Sequence, residues 1–169
     1  MVIIITGATH TGKTALAQKL LEKYKYPYFS VDHLKMGLIR SKNTSLTPLD
    51  DEKLMPYLWG IVKEEIIKTV IENQQNLIIE GGYIPFNWAE DFSAEYLKNI
   101  DYYCLVMTPE YIKKHFAEIL KYANVIEKRK SDLEYSSEQL IADNNYNLAM
   151  CQKFGNNFIL IEDDYKISI

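Results

Sequence analysis

The chain has 169 residues, 47% hydrophobic and 25% charged, a composition typical of one globular domain spanning residues 1–169. Its net charge of −4 argues against a basic surface for nucleic acid or acidic lipid. The two cysteines lack the spacing of a disulfide framework or a zinc site, and the apolar run at the N-terminus is too short for a signal peptide or a membrane span. We therefore expect a reduced cytoplasmic protein that binds neither nucleic acid nor membrane, and we leave its oligomeric state open.

Five short apolar segments have the length and residue types of buried strands. They cover residues 1–5, 26–31, 76–80, 101–107 and 157–162. Helical patterns separate them, over residues 13–24, 51–73, 88–98, 109–128 and 136–154. Because strands alternate with helices, the chain is predicted to have an α/β fold with a parallel sheet covered on both faces. Ligands of such sheets bind beyond the carboxyl ends of the strands.

The most specific motif lies between the first strand and the first helix. The pattern G-x-x-x-x-G-K-[ST] is completed by Gly7, Ala8, Thr9, His10, Thr11, Gly12, Lys13 and Thr14. Gly7 and Gly12 permit turns that bring backbone N–H groups close to an anion, and the helix N-terminus adds its partial positive charge. We predict that the whole loop binds nucleotide phosphates, with Lys13 on the β and γ phosphates and the Thr14 hydroxyl on Mg²⁺. An ordinary glycine-containing turn is the alternative.

Polar residues after the second strand are candidates for the acceptor side. Asp32 is placed to accept a proton from an acceptor hydroxyl or to hold a magnesium-bound water, although Asp is also a favoured helix N-cap. Lys35 and Arg40 fall on what would be one side of the following segment and would suit an anionic group on the acceptor. Solvated helix charges are the alternative for these two cations.

The third predicted strand ends in Glu80, Gly81, Gly82 and Tyr83. A carboxylate beside a phosphate loop can orient the hydration shell of Mg²⁺, and the paired glycines permit a ligand to lie against the backbone. All four are therefore candidate substrate-binding residues, with Glu80 also a candidate for the metal site. A simple turn is the alternative. Tyr83, with the aromatic residues Phe86 and Trp88, would form either a pocket wall or part of the core.

Two further candidates lie late in the chain. Arg129 belongs to a basic stretch within residues 125–137, which we predict to be a lid that closes over the phosphates and brings a guanidinium to the transition state. A solvated helix end is the alternative. Tyr165 follows the fifth strand and is a candidate to stack on adenine, whereas its acidic neighbours favour a solvated loop.

Taken together, the phosphate loop, Asp32, Ile79-Glu80-Gly81 and the basic residues 128–130 resemble small P-loop kinases of the adenylate kinase-like group. That group includes nucleoside, shikimate and gluconate kinases, chloramphenicol phosphotransferase and zeta toxins. The resemblance implies a three-layer α/β/α P-loop NTPase fold with a five-stranded parallel sheet in the order 2-3-1-4-5, a lid, and ATP with Mg²⁺ as cofactors. Asp32 would match the acceptor-side acid. No Asp closes the fourth strand in the Walker B manner, so Glu80 would take that duty.

The predicted function is ATP-dependent transfer of a phosphoryl group to a hydroxyl of a small metabolite or nucleoside-type acceptor. Lys13, Asp32 and Arg129 are the predicted catalytic residues. The alternative is a non-catalytic or slowly hydrolysing adenine-nucleotide sensor that recruits a protein partner. A toxin-type kinase that acts on a nucleotide sugar is a third possibility. A guanine-specific switch would need an N-K-x-D motif on or after the fourth strand, and the sequence has none.

Overall fold

The computed structural model describes residues 1–122, 136–165, 167 and 169. Its centre is a sheet of five parallel strands in the order β2-β3-β1-β4-β5. The strands are β1 (Val2–Gly7), β2 (Tyr28–Ser30), β3 (Leu77–Glu80), β4 (Ile100–Met107) and β5 (Phe158–Ile161). The α/β class, the parallel sheet and its strand order are confirmed.

Helices cover both faces of this sheet. They are α1 (Lys13–Tyr24), α2 (Val31–Arg40), α3 (Asp51–Ile61), α4 (Thr69–Glu72), α5 (Ala94–Leu97), α6 (Pro109–Tyr122) and α7 (Ser137–Phe154). The predicted helix over 109–128 is described as far as Tyr122. A capping box opens α7, where Ser136 Oγ accepts from the Gln139 amide and the Gln139 side chain accepts from the Ser136 amide. In the described parts of the chain, none of the helices has the length and hydrophobicity that crossing a membrane would require.

Alternation along β1 creates two cores, one on each face of the sheet. Val2 and Ile4 face one core, which includes Leu54, Leu58 and Trp59 of α3. Ile3 and Ile5 face the other core, and a second set of helical residues packs there: Leu16 and Leu20 of α1, Ile112 and Ile119 of α6, and Leu140 of α7. Because successive side chains of a strand point to opposite faces, an unbroken apolar strand is what a three-layer fold requires.

Two elements differ from their predicted bounds. The second strand is shorter than the predicted 26–31, because Pro27 has no N–H to donate and Val31 already begins α2. The predicted helix over 88–98 is a 3₁₀ turn (Trp88–Asp91) followed by the short α5, with Phe92 extended between them. The helix propensities of these residues do not predict the break in the helix. It lies where the side chains of Trp88 and Phe92 are buried in the core.

The predicted helix over 51–73 is present, but its middle is wound differently. A π-helical stretch (Val62–Lys68) joins α3 to α4. An ion pair ties this region to the 3₁₀ turn: Lys63 Nζ lies 2.5 Å from Asp91 Oδ1, and the Trp59 indole donates to Asp91 Oδ2 at 2.7 Å. These bonds join the long helix to the segment that follows β3.

Candidate active site

The carboxyl ends of the strands bring distant parts of the sequence together. Glu80 pairs in register with Ile5 on one side and with Ser30 on the other. Neighbouring strands lie about 4.8 Å apart, so the loop after β1, the start of α2 and the end of β3 form one continuous edge. This is the edge at which parallel sheets bind their ligands.

The loop of residues 7–14 has the backbone that the motif predicts. Gly7 has φ +142°, and a Cβ there would lie 2.5 Å from the Leu105 carbonyl oxygen on β4. His10 and Gly12 take left-handed conformations with φ of +61° and +81°. Such alternation turns successive amides toward one side and makes an anion-binding concavity.

The beginning of α1 is open to an anion. Its N-cap, Gly12, supplies no side-chain cap, and the first turn contains no acidic residue. The first amides of the helix and its partial positive charge therefore face the loop, and no acidic residue of the same turn lies beside them. This arrangement fits the phosphates of a nucleotide.

Lys13 places its ammonium group inside the loop. The side chain is only 7% exposed, and Nζ donates to the carbonyls of Ala8 at 2.8 Å and Gly7 at 3.1 Å. The Thr11 hydroxyl also donates to the Ala8 carbonyl, at 2.8 Å. A positive charge is thus present where the motif predicts phosphate.

Thr14 and Glu80, the two residues predicted at the metal site, are in contact. Thr14 Oγ1 donates to Glu80 Oε2 at 3.3 Å, and Glu80 is 1% exposed. A hydroxyl and a carboxylate are suitable oxygen donors for Mg²⁺, which keeps several waters and is shared with substrate phosphates. Within the described residues no group of three or more His, Cys, Asp or Glu side chains is placed to hold a metal ion. A magnesium site here would therefore depend on water and phosphate oxygens.

Asp32 belongs to a chain of hydrogen bonds on the acceptor side. It lies in the first turn of α2, where Ser30 and not Asp32 is the N-cap. Lys35 Nζ is 3.3 Å from Asp32 Oδ1 and donates to the Tyr83 hydroxyl at 2.8 Å. Tyr83 in turn donates to Asp51 Oδ1 at 2.5 Å. Burial, followed by the hydrogen bond and the charge of Asp51, raises the pKa of Tyr83, so the phenol stays protonated.

Sequence reasoning missed Asp51. It is the first residue of α3, where an acidic residue is ordinary, and only the packing of α3 against the segment after β3 brings it to Tyr83. The hydrogen bond makes Tyr83 a connection between α2 and α3.

The structure separates Arg40 from this group, whereas Gly81 and Gly82 lie between Glu80 and Tyr83 in the chain. Arg40 is the exposed last residue of α2, about 12 Å along the helix from Asp32 and about 140° around its axis from Lys35. The expectation that Lys35 and Arg40 share one side is therefore not met. A Cβ on Gly81 would lie 2.8 Å from Val31 Cβ, so its absence permits contact with α2, whereas Gly82 borders open space.

The two aromatic residues after Tyr83 belong to the core. Trp88 is 7% exposed and stacks on Tyr102 with ring centroids 5.3 Å apart. Its indole donates to Asn156, and Phe86 packs edge-to-face against Tyr146. Of the two interpretations of this aromatic cluster, core packing is the one that these contacts favour.

Tyr165 lies against the phosphate loop. Its hydroxyl donates to the Thr11 carbonyl at 2.9 Å, and a Cβ on Gly12 would lie 1.9 Å from that hydroxyl oxygen. Tyr165 thus reaches the predicted nucleotide site, with its hydroxyl directed to the loop backbone. Arg129 and most of the predicted lid lie outside the described residues.

Comparison with solved structures identifies the fold. A deoxyadenosine kinase from M. mycoides, solved with dCMP and dCDP, matches 99% of this chain and 92% of its own with a TM-score of 0.56 and 14% identity. A gluconokinase from Sinorhizobium meliloti 1021 matches 98% and 83% with a TM-score of 0.52 and 11% identity. No protein-family model matches the sequence, and neither does any curated protein. At these identities the likeness shows a shared fold, that of small P-loop kinases.

Proposed function

We propose that this protein is an ATP-dependent phosphotransferase that moves the γ-phosphate to a hydroxyl of a small molecule. One observation carries the proposal. A phosphate-loop motif with its lysine, the Thr14–Glu80 pair and the acid Asp32 all lie at one edge of the sheet. Phosphoryl transfer needs few covalent steps from the protein, so positioned donors, a metal site and a proton acceptor are a sufficient set.

The nucleotide side rests on residues 7–14. Their amides would hold the phosphates of ATP, and Lys13 would exchange its bonds to the loop carbonyls for bonds to the β and γ phosphates. Thr14 and Glu80 would hold Mg²⁺ and its waters, and the ion would neutralise charge that develops on the phosphates. Arg129 is proposed to add a further positive charge to the transition state.

The acceptor side rests on Asp32. Its carboxylate would accept the proton of the attacking hydroxyl, and Lys35 would hold it in place through the 3.3 Å contact. Tyr83 and Asp51 would in turn fix the ammonium of Lys35. Gly81 and Gly82 would serve as backbone next to the acceptor.

The charge of this group supports one class of acceptor. Asp32 and Asp51 provide two carboxylates, whereas Lys35 is engaged with Asp32 and Tyr83. A phosphate or carboxylate on the acceptor would meet a surplus of negative charge, while hydroxyl and amino groups would find acceptors. We therefore propose that the acceptor is a neutral or positively charged polyol. Activity with glucose and glucosamine should exceed activity with gluconate, and activity with adenosine should exceed activity with AMP.

For the compartment we propose the cytoplasm, on the basis of the two thiols. Cys104 and Cys151 are both free and buried, which supports a reducing environment such as the cytoplasm.

The decisive experiment measures ADP release from ATP and Mg²⁺ with and without a panel of hydroxyl-bearing acceptors. A kinase shows a large stimulation by some acceptors, whereas a low rate that no acceptor changes favours the nucleotide sensor. Lys13→Ala should lower turnover by at least about 100-fold, and Lys19→Ala, an exposed position on the same helix, is its matched control. Full activity of Lys13→Ala would refute the proposal.

A second pair of variants tests the acid. Asp32→Asn should keep near-normal ATP affinity and lose about 100-fold or more in kcat, because general-base catalysis contributes on that scale. Asp101→Asn removes an exposed carboxylate at the opposite end of the sheet and should behave as the unmodified protein. Loss of ATP affinity in Asp32→Asn would instead assign Asp32 a structural role.

A further inference from the structure

Tyr165 forms a contact with the phosphate loop that the proposed reaction does not yet use. After β5, the partly buried Tyr165 packs its ring over Gly12 and against the core that contains residues of α1. Burial raises the pKa of the Tyr165 phenol, so the hydroxyl stays protonated. It donates a hydrogen bond to the Thr11 carbonyl at 2.9 Å.

This bond fixes the orientation of one peptide group. In a trans peptide the carbonyl of one residue and the N–H of the next point in opposite directions. Because the Thr11 carbonyl accepts a hydrogen bond from Tyr165, the Gly12 N–H is directed away from the Tyr165 hydroxyl. Gly12 has no Cβ and lies at φ +81°, so no side chain of its own restrains the rotation of this peptide. The hydrogen bond from Tyr165 therefore supplies a restraint that the glycine lacks.

The space over Gly12 is filled by the same side chain. A Cβ at this position would lie 1.9 Å from the Tyr165 hydroxyl oxygen and 2.7 Å from the ring carbon that bears it. The ring therefore packs directly on the glycine while the hydroxyl holds the preceding carbonyl. Both contacts restrain the same peptide.

We infer that Tyr165 is a positioning residue for phosphate binding, which holds the Thr11–Gly12 peptide with its N–H directed at the nucleotide phosphates. The inference rests on the proposed nucleotide binding and replaces the prediction that Tyr165 stacks on adenine. Its action is exerted through the loop backbone, so it applies to any polyphosphate that enters the loop.

The test compares Tyr165→Phe with Tyr24→Phe by calorimetry. Tyr165→Phe keeps the ring and removes the hydrogen bond. Tyr24→Phe removes a similar bond, from the Tyr24 hydroxyl to the Ile169 carbonyl, which holds the same C-terminal segment at the far end of α1. The probes are ADP and inorganic tripolyphosphate, each with Mg²⁺. Tyr165→Phe should weaken both about three- to tenfold, the range expected for one hydrogen bond, and Tyr24→Phe should change neither by more than about twofold.

A second readout observes the peptide itself. Selective ¹⁵N labelling of glycine gives signals from seven residues. The Gly12 amide should shift when tripolyphosphate binds to the unmodified protein, and its position in the ligand-free protein should change in Tyr165→Phe but not in Tyr24→Phe.

Three results would overturn the inference. Affinities of Tyr165→Phe within twofold of the unmodified protein would show that the bond does not matter. A loss for ADP without a loss for tripolyphosphate would place Tyr165 on the base and not on the loop. Failure of the unmodified protein to bind either probe would refute the proposed function together with the inference. If the unmodified protein binds both probes and Tyr165→Phe binds them with the same affinity, only the inference is refuted.

Discussion

Replacing Gly12 by alanine should destabilise the protein through a contact that can be removed independently. The new methyl carbon would stand 1.9 Å from the Tyr165 hydroxyl oxygen, well inside van der Waals contact, so the ring must move and its 2.9 Å bond to Thr11 breaks. The left-handed conformation at φ +81° costs alanine about 1–2 kcal/mol, and the lost hydrogen bond adds about 0.5–1.5 kcal/mol. We expect a total loss of about 1.5–3.5 kcal/mol in the free energy of unfolding.

Urea denaturation followed by circular dichroism, without ligand, measures this loss. In a Tyr165→Ala background the same Gly12→Ala change should cost only the backbone share, about 1–2 kcal/mol, because nothing then opposes the methyl group. Gly37→Ala is the matched control: its Cβ meets no atom within 4 Å in the interior of α2, so it should stabilise the protein by about 0.5–1 kcal/mol. Equal costs of Gly12→Ala in both backgrounds would refute the contact.

Three further outcomes follow from the described contacts. Glu80→Gln keeps an oxygen at the proposed metal site but removes its charge, so the increase in ADP affinity that Mg²⁺ produces should fall about tenfold or more, and an unchanged increase would contradict the proposed site. The hydrogen bond from Lys63 lowers the pKa of Asp91. The stabilisation that the ionised Asp91 provides is therefore complete above the unfolded pKa near 4 and is lost as the pH falls through the lower folded pKa. Asp91→Asn should lower the free energy of unfolding by about 1 kcal/mol at pH 7, and in urea titrations the difference between the variant and the unmodified protein should narrow below about pH 4. Cys104 and Cys151 are both buried, so an aromatic disulfide reagent should label neither thiol in the folded protein and both after denaturation, and labelling of the folded protein would contradict their burial.

The fold followed from the sequence because its signals are local and repeated. The apolar run at Val2–Gly7 is buried on both faces, as is the run at Ile100–Met107 from Cys104 onward, and each is followed by a helix, so the parallel arrangement could be predicted from pattern alone. The strand order came from the resemblance to small P-loop kinases. The π-helical stretch Val62–Lys68 could not be predicted, because its apolar spacing differs little from that of an α-helix over two turns.

The candidate site was only partly accessible to the same reasoning. Glu80 could be identified because burying a carboxylate at the end of an apolar strand is costly unless a hydrogen-bond donor or a cation meets it there, and the structure brings it to Thr14. The contact of Asp51 with Tyr83 joins residues 32 positions apart, and the contact of Tyr165 with Thr11 joins residues 154 positions apart. No local sequence pattern predicts such contacts. The catalytic and binding roles of these residues remain predictions.

The strand order divides the molecule into two flanks with different freedom to change. Residues 31–60 and 81–93 adjoin β2 and β3, whereas the loop of residues 7–14 and Tyr165 adjoin β1 and β5. The mostly exposed connection over residues 41–50 joins α2 to α3 on the first flank alone. On the proposed function, a longer connection or one of different composition would change which acceptor binds and leave the proposed phosphate-binding loop unaltered, so new acceptors could be used without any change on the ATP side.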